Sequence, residues 1–330
     1  KSRERHRAKR EAGILEGLDD LERWLGDVLQ QGLAAFPAHA AQQCSVLARR
    51  LVDAKAGGLA KRLESFPASY FDTPEPERAD TLIEFLGQLH LLASAYRRQE
   101  HLPAPMRYEV RRLIGWTQTR EELLQSEHTL RVAGRWFVLA VRRRTQPDRL
   151  VRIESWLRRL EGAEHDANPQ TAVLMDFVPV AMASNAAPAY ARGQTLDATL
   201  AFYPSATPLL ALVAEHRTLS DEPPLPTPPQ HLPEALADYR QQLARSPWLT
   251  RWPIAFQEAD LRQDPLGTYW FHSQVGEDER ALRVHPDARE GVSTLAGLES
   301  IGVYALHDGR HCWPLAATTA LGPWWGVSDG

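Results

Sequence analysis

The chain has 330 residues, of which 43% are hydrophobic and 24% are charged, and its formal net charge is −4 at pH 7. These values are typical of a globular protein of one elaborate domain or two, and they exclude disordered, fibrous and low-complexity classes. An acidic protein has no general attraction to phosphate backbones, so any nucleic-acid site must be a local basic surface.

Cysteine usage and hydropathy indicate a cytoplasmic protein without a membrane segment. Only Cys44 and Cys312 are present, which excludes a disulfide framework and a four-cysteine zinc site within the chain. No run of about 18 apolar residues occurs, and the basic start at 1–10 is not followed by the apolar core of a signal peptide. Because the chain opens without Met, we expect a preceding segment.

The stretch from Ile14 to Phe36 predicts an amphipathic helix around which the helical half packs. Its apolar residues recur at spacings of three and four, while its acidic residues avoid that stripe. Trp24 and Leu29 widen the apolar face beyond a coiled-coil seam. We therefore expect five side chains to be buried together in the helical core: Leu18, Leu21, Trp24, Leu25 and Val28.

Further helical periods follow as far as about Gln125. Thr73 and Pro74 predict the start of a long amphipathic helix, with Thr73 as its N-cap. Pro103 and Pro105 end that helix, and another helix follows them. The prediction is a helical domain over residues 1–126.

The hydrophobic period then changes to that of β-strands. The segments 135–144 and 150–156 predict a hairpin around a Thr-Gln-Pro-Asp turn, and 171–180, 195–203 and 209–216 predict further strands. Short strands recur after a helix at 232–244, and Asp308-Gly309 predicts a hairpin turn. The fold class is therefore α+β, with a mainly antiparallel β-rich domain over 127–330 whose strands could close into one barrel or sandwich.

Arginines and tryptophans concentrate around the predicted hairpin. Arginine side chains beside aromatic rings are suited to holding phosphates and stacking bases. The alternative is a solvated sheet face with tryptophans in the core, which the interspersed glutamates favour. The candidate nucleic-acid-binding residues are Arg142, Arg143, Arg144, Arg149 and Arg152.

A proline-rich connector occupies residues 223–233, which contain six prolines. This composition predicts an extended spacer or wrapping loop rather than a packed element. Trp248, Arg251 and Trp252 follow it and are candidate partner-binding residues, because Trp and Arg contribute disproportionately at interface centres. The alternative is that both tryptophans lock the connector onto the β-rich half.

No sequence motif for enzymatic chemistry is present. The chain lacks a GxxxxGK[ST] loop, GxGxxG, GxSxG and HExxH. His307, His311 and Cys312 are close in sequence, but polar residues beside a turn explain them better than a metal site. Asp176, in an apolar run, and His307 are the positions around which an unrecognised hydrolase would be sought.

Six segments resemble bacterial SWIM zinc-finger proteins, in the region downstream of the finger. They are AKREAGILEGLDDLERWLGDVLQQGLA (8–34), LVDAKAGGLAKRL (51–63), LGQLHLLASAYRR (86–98), LIGWTQTREELL (113–124), TLDATLAFYPSATPLLALV (195–213) and SPWLTRWP (246–253). The CxC and CxH ligands that define the family do not occur in this chain. Zinc is therefore expected only in a preceding finger, and no metal or other cofactor is expected in this chain.

The resemblance implies a non-enzymatic scaffold role in bacterial systems that contain MoxR-type AAA+ ATPases and von Willebrand A-domain proteins. Those two classes are the protein partners that it implies. A nucleic-acid adaptor that uses the basic β surface is the alternative, and an unrecognised hydrolase is the second one. The sequence leaves open the ligand, the oligomeric state and the choice between DNA and RNA.

Overall fold

The computed structural model describes residues 2–146, 148–160, 168–183, 189–220 and 224–326. The chain divides into two compact units, one of residues 1–119 with 204–206 and the other of residues 120–203 with 207–330. Helices dominate the first unit and antiparallel strands the second, which confirms the predicted α+β class. The division after residue 119 lies seven residues before the boundary predicted at 126.

Helices follow one another through the described part of the first unit, joined by short 3-10 turns. They are α1 (Ser2–Gln31), α2 (Ala40–Asp53), α3 (Gly57–Asp72), α4 (Arg78–Arg97) and α5 (Ala104–Ile114). The bounds of α1 show that residues 2–10 of the basic start are part of the first helix. Gly32, with φ of +86°, ends that helix because glycine adopts the left-handed region without steric cost.

The apolar stripe of α1 forms the centre of the helical core. Leu18 and Leu21 are fully buried, and Leu25 and Val28 are nearly so. Trp24 lies only half-buried, where it meets Phe36 edge-on with ring centroids 6.2 Å apart. Leu29 was predicted to widen the apolar face but is 64% exposed, because its position falls outside the stripe that meets the other helices.

The predicted N-cap at Thr73 is wrong. The Thr73 hydroxyl donates to the Ser69 carbonyl 2.8 Å away, so it terminates α3 instead of starting α4. A 3-10 turn at Glu75–Glu77 intervenes, and α4 begins only at Arg78. The position before α4 is Glu77, whose side chain makes no capping hydrogen bond.

A network around Trp116 closes the helical unit. Its indole N–H donates to the Tyr96 hydroxyl at 2.8 Å, and burial raises the pKa of Tyr96 to about 12. The guanidinium groups of Arg10 and Arg111 lie 4.2 and 4.0 Å from the Trp116 ring centroid. Arg111 also donates to Gln99 at 2.8 Å. Arg10 and Arg111 therefore serve packing within this unit.

The second unit is built from strands and four described α-helices, of which α6 precedes the first strand and the others lie between strands. The helices are α6 (Arg120–Gln125), α7 (Val180–Ala183), α8 (Leu232–Arg245) and α9 (Arg289–Val292). The strands are β1 (Arg131–Thr145), β2 (Leu150–Arg159), β3 (Thr171–Pro179), β4 (Thr195–Phe202), β5 (Leu210–Ser220), β6 (Trp252–Gln263), β7 (Tyr269–Val275), β8 (Asp278–Val284), β9 (Ile301–His307), β10 (His311–Thr319) and β11 (Gly322–Trp325). The predicted hairpin is β1–β2, which are paired antiparallel.

Strands β1 to β5 close into a first barrel, called barrel 1. The strand order is β1-β2-β3-β5-β4, and β4 pairs with β1 to close the ring. All neighbours are antiparallel except β3 and β5, which make a short parallel pairing at Val173–Leu210 and Leu174–Ala211. Trp136 and Phe202 are in its interior with ring centroids 6.1 Å apart.

Strands β6 to β10 form a second ring, called barrel 2, in the same order. The order is β6-β7-β8-β10-β9, β9 pairs with β6, and β8 and β10 make the short parallel pairing. Strand β11 is attached to β10 beyond that ring. The described β-rich unit therefore contains two rings, and not the single barrel or sandwich that the sequence suggested.

Apolar contacts join the two barrels. Trp156 and Val173 on the outside of barrel 1 pack with Leu306, Trp313 and Leu315 of barrel 2. The proline-rich segment crosses this junction as a wrapping loop. Its Leu225 is 7% exposed in a cluster with residues of both barrels.

The described part of the predicted connector makes specific hydrogen bonds. The Tyr304 hydroxyl donates to the Pro226 carbonyl at 3.0 Å, and the Gln257 N–H donates to the Gln230 carbonyl at 2.8 Å. Pro223, its first predicted residue, lies outside the described residues.

In the part of the chain that is described, no helix combines the length and the apolar character needed to cross a membrane.

Candidate functional site

The outer face of β1, β2 and β3 carries most of the predicted basic residues. Alternate residues of a strand point to opposite sides. Trp136, Val138 and Val141 face the barrel 1 interior, with a bulge between Val138 and Ala140, so Arg142 and Arg144 face outwards. On β2, Leu157 is interior and Trp156 is exterior, which places Arg152 and Glu154 outside.

Strand pairing brings these side chains into two cross-strand rows. Arg144 lies opposite Arg152, which lies opposite Phe177 on β3. Arg142 lies opposite Glu154 in the next row. We call this set of five residues the arginine face. Phe177 is 48% exposed, so its ring is available at the surface, and Arg152 is its cross-strand neighbour.

Glu154 is the acidic member of the arginine face. It is 8% exposed, its Oε2 accepts from the Trp156 indole N–H at 3.2 Å, and its Oε1 lies 2.9 Å from Arg152 Nη2. A buried carboxylate with these partners is fixed in position. Over residues 131–159 as a whole, nine arginines stand against two acidic residues, although the full protein is acidic.

Arg251, from the start of barrel 2, joins this surface. Its guanidinium group lies 4.0 Å from the Trp313 ring centroid. The pKa of Arg251 is lowered to about 10, chiefly by burial and further by repulsion from Arg144 and Arg142. The charges of Asp308 and Glu154 act in the opposite direction. Among these cations Arg142 is 5% exposed, whereas Arg144 and Arg152 are half-buried, so Arg144 and Arg152 are the accessible cations of a candidate anion-binding site.

The remaining predicted residues occupy other positions. Arg143 points to the opposite side of β1 from Arg142 and Arg144. Arg149 lies in the β1–β2 turn, is exposed and has φ of +59°. Trp248 is 5% exposed, so its ring offers little surface to a partner, and Trp252 lies half-buried against the barrel 2 core.

Sequence reasoning did not select Phe177, Trp313 or His285. Trp313 stacks on His285 with ring centroids 4.2 Å apart, and His285 Nδ1 accepts from the Asp287 N–H at 3.2 Å. Burial, which is the largest cause, lowers the pKa of His285 to about 4. Phe177 could have been found from its alternation with Val173 on β3, because both positions face outwards.

The two hydrolase positions lie in different barrels, Asp176 on β3 and His307 on β9. Asp176 is exposed on β3 instead of buried in its apolar run. His307 is 3% exposed, its Nδ1 lies 2.9 Å from the His311 carbonyl oxygen, and burial lowers its pKa. A small cleft of about 40 Å³ lies between β1 and β10, and its lining includes Arg142, Trp313 and Asp287 but neither hydrolase position.

The described residues contain no group of three or more histidine, cysteine or acidic side chains arranged to hold a metal. His307 and His311 flank the β9–β10 turn as predicted, but Cys312 is fully buried in the barrel 2 core. Burial raises the pKa of the Cys312 thiol well above its usual range, which keeps it protonated.

Comparison with known proteins gives one match. Residues 9–114 match the SWIM-associated four-helix bundle domain, a stretch that runs from within α1 to the end of α5. No curated protein and no solved structure matches the chain. The predicted SWIM resemblance is thereby confirmed for the helical unit. The similar segments at 195–213 and 246–253 lie outside the matched residues.

Proposed function

We propose that the chain, whose residues 9–114 match the SWIM-associated four-helix bundle domain, is a non-enzymatic adaptor and that its barrel 1 binds single-stranded nucleic acid. The observation that carries this proposal is the row of Arg144, Arg152 and Phe177 on the outer face of three neighbouring strands. Guanidinium groups pair with phosphates, and an exposed aromatic ring stacks on an unpaired base.

Single strands fit this face better than duplexes. In a duplex the bases stack on each other, so a ring on a protein surface cannot reach a base face without disrupting the helix. The strand order of barrel 1, with its parallel third and fifth strands, is that of the oligonucleotide- and oligosaccharide-binding barrel. That likeness concerns fold, and the proposal rests on the side chains of the arginine face.

The test is a salt titration of binding to a fluorescent oligothymidine by the full chain. Arg144→Gln with Arg152→Gln removes two phosphate partners, so the slope of log K against log salt should become shallower by about 1.4. Affinity should fall about tenfold or more at low salt. Loss of the Phe177 ring in Phe177→Ala should weaken binding by about 1–3 kcal/mol without changing the slope.

The matched control is Arg143→Gln with Arg149→Gln. It makes the same change in net charge on the same hairpin, but neither residue belongs to the arginine face. Binding by this control should stay within about twofold of the wild type. An equal loss in both double variants would show a nonspecific charge effect, and tighter binding to duplex than to single strands would also contradict the proposal.

A second candidate function is the protein scaffold that the SWIM resemblance implies, with a MoxR-type AAA+ ATPase and a von Willebrand A-domain protein as partners. The match of residues 9–114 supports the SWIM resemblance from which this candidate is drawn. We expect Arg251→Ala with Trp252→Ala to weaken capture of either purified partner while the melting temperature falls by only a few degrees. Capture that is unchanged, or a collapse of stability, would show that this segment is structural.

A further inference from the structure

Barrel 2 repeats the position of the arginine-face row with different residues. On β6, β7 and β8 the paired residues Arg262, Trp270 and Arg283 form one row. Arg262 is the penultimate residue of β6, as Arg144 is of β1, so both rows lie beside the first turn of their barrel. Each row therefore contains two arginines and one aromatic ring at the same place in the same strand order.

The two rows differ in the balance of charge around them, although Arg152 in the barrel 1 row also has a carboxylate partner in Glu154. Arg262 lies 3.5 Å from both Asp260 and Glu279, and Glu279 also lies 3.2 Å from His272. Over residues 252–284, three arginines stand against six acidic residues, the reverse of the balance on β1 and β2. Phosphates gain little at such a surface, because acidic residues outnumber the arginines there.

The ring of barrel 2 is held in a fixed orientation. The Trp270 indole N–H donates to Asp264 Oδ2 at 3.0 Å, and Asp264 Oδ1 accepts from the Leu266 and Thr268 N–H groups at 2.9 Å. These hydrogen bonds hold the pKa of Asp264 below its usual range, and the one from Trp270 has the largest effect. Trp270 remains half-buried, and the Arg283 guanidinium group lies 6.0 Å from its ring centroid.

We infer that Trp270 is a second base-stacking site for the same single strand, one that contributes by stacking and not by phosphate pairing. This inference rests on the function proposed for barrel 1. Indole presents a larger π-face than the Phe177 ring, and stacking is tolerant of base identity. The acidic surroundings restrict the site to a base whose phosphate is held elsewhere, so it adds affinity only when the arginine face holds the strand.

The decisive variant is Trp270→Leu, which keeps apolar bulk but removes the π-face. Trp270→Phe is its matched control, because it retains a stacking ring. Binding is measured with oligothymidines of about 8 and 40 nucleotides, since one barrel of this kind covers about 4–16 nucleotides. Leucine should weaken binding of the long strand about five- to hundredfold and that of the short strand less than twofold, and phenylalanine should restore most of the loss.

The salt dependence separates this inference from the function on which it rests. The slope for the long strand should be the same in Trp270→Leu and the wild type, because no phosphate contact is lost. Unchanged long-strand affinity in the leucine variant, or equal losses for both lengths, would overturn the Trp270 site alone. If the wild type binds neither the short nor the long strand, the barrel 1 proposal and this inference are both overturned.

Discussion

Barrel 1 and barrel 2 each have five strands in the same order, with one short parallel pairing and a short helix between the third and fourth strands. They differ on the outer face of their first three strands. In barrel 1 four of the five arginine-face residues are basic or aromatic, and Arg251 adds a further cation. In barrel 2 carboxylates surround Arg262 and Trp270. One strand order therefore positions side chains of different charge at an equivalent place.

The helical unit adds a second lesson about arginine. Arg10 and Arg111 lie over the Trp116 ring, and Arg97 pairs with Asp19 at 2.5 Å and Glu22 at 3.3 Å. These contacts occupy the guanidinium groups within the protein. The density of arginines in the sequence is thus a poor guide to binding, whereas the partners of each guanidinium group are informative.

Core truncation in each barrel tests whether the two barrels are equivalent in stability. Trp136 in barrel 1 and Phe256 in barrel 2 are both fully buried. Trp136→Ala and Phe256→Ala should each lower the free energy of unfolding by about 3–5 kcal/mol, because each leaves a cavity. Denaturant titration checks this, with exposed Leu266→Ala as a control that should change it by less than about 0.5 kcal/mol.

The same titration tests whether the barrels unfold together. Trp156 and Trp313 pack in one cluster across the junction, so a single transition is expected for both core variants. Two resolved transitions, with only one of them shifted in each variant, would show that the barrels are independent and would break the comparison.

Acid should act on barrel 2 through His285. Its pKa of about 4 lies below the ordinary 6.5, so the unfolded chain takes up a proton at a pH where the folded chain does not. Stability is therefore fully present above about pH 6.5 and is lost as the pH falls towards 4, by roughly 2–3 kcal/mol. Protonation would also remove the acceptor that His285 Nδ1 offers to the Asp287 N–H.

A variant without the His285 imidazole is the control for this loss of stability. After burial, Asp287 and Asp308 raise the pKa of His285, while His311 and Arg251 lower it. Equilibrium unfolding between pH 7 and pH 4 should show a smaller loss of stability for His285→Phe than for the wild type. An identical loss in the variant would place the acid sensitivity elsewhere.

Removal of two carboxylates should make the face of barrel 2 resemble that of barrel 1. Asp260→Asn with Glu279→Gln frees Arg262 from both of its acidic partners. We expect affinity for a long oligothymidine to rise about three- to tenfold at low salt, with a slope steeper by about 0.7 for one new phosphate contact. Arg262→Gln added to this variant should cancel the gain. No gain would mean that the strand does not reach this face.

The local sequence determined the elements of this protein. The period of the α1 stripe predicted the burial of Leu18 and Leu21, and the β1–β2 hairpin followed from alternating residues around a turn. Such signals involve neighbours within a few residues, where spacing alone decides which side chains share a face. Errors arose where a local signal had a competing partner, as when the Thr73 hydroxyl bonded to the preceding helix.

Only the tertiary structure decided the pairing of distant strands and the composition of the site. The parallel pairings of β3 with β5 and of β8 with β10 close two barrels, and a period of two does not encode which strand a given strand will join. Arg251 is close enough to Arg142 and Arg144 for their charges to lower its pKa, although more than 100 residues separate them in the chain. The sequence marked both segments as basic or aromatic, but their convergence depends on the apolar junction that joins the two barrels.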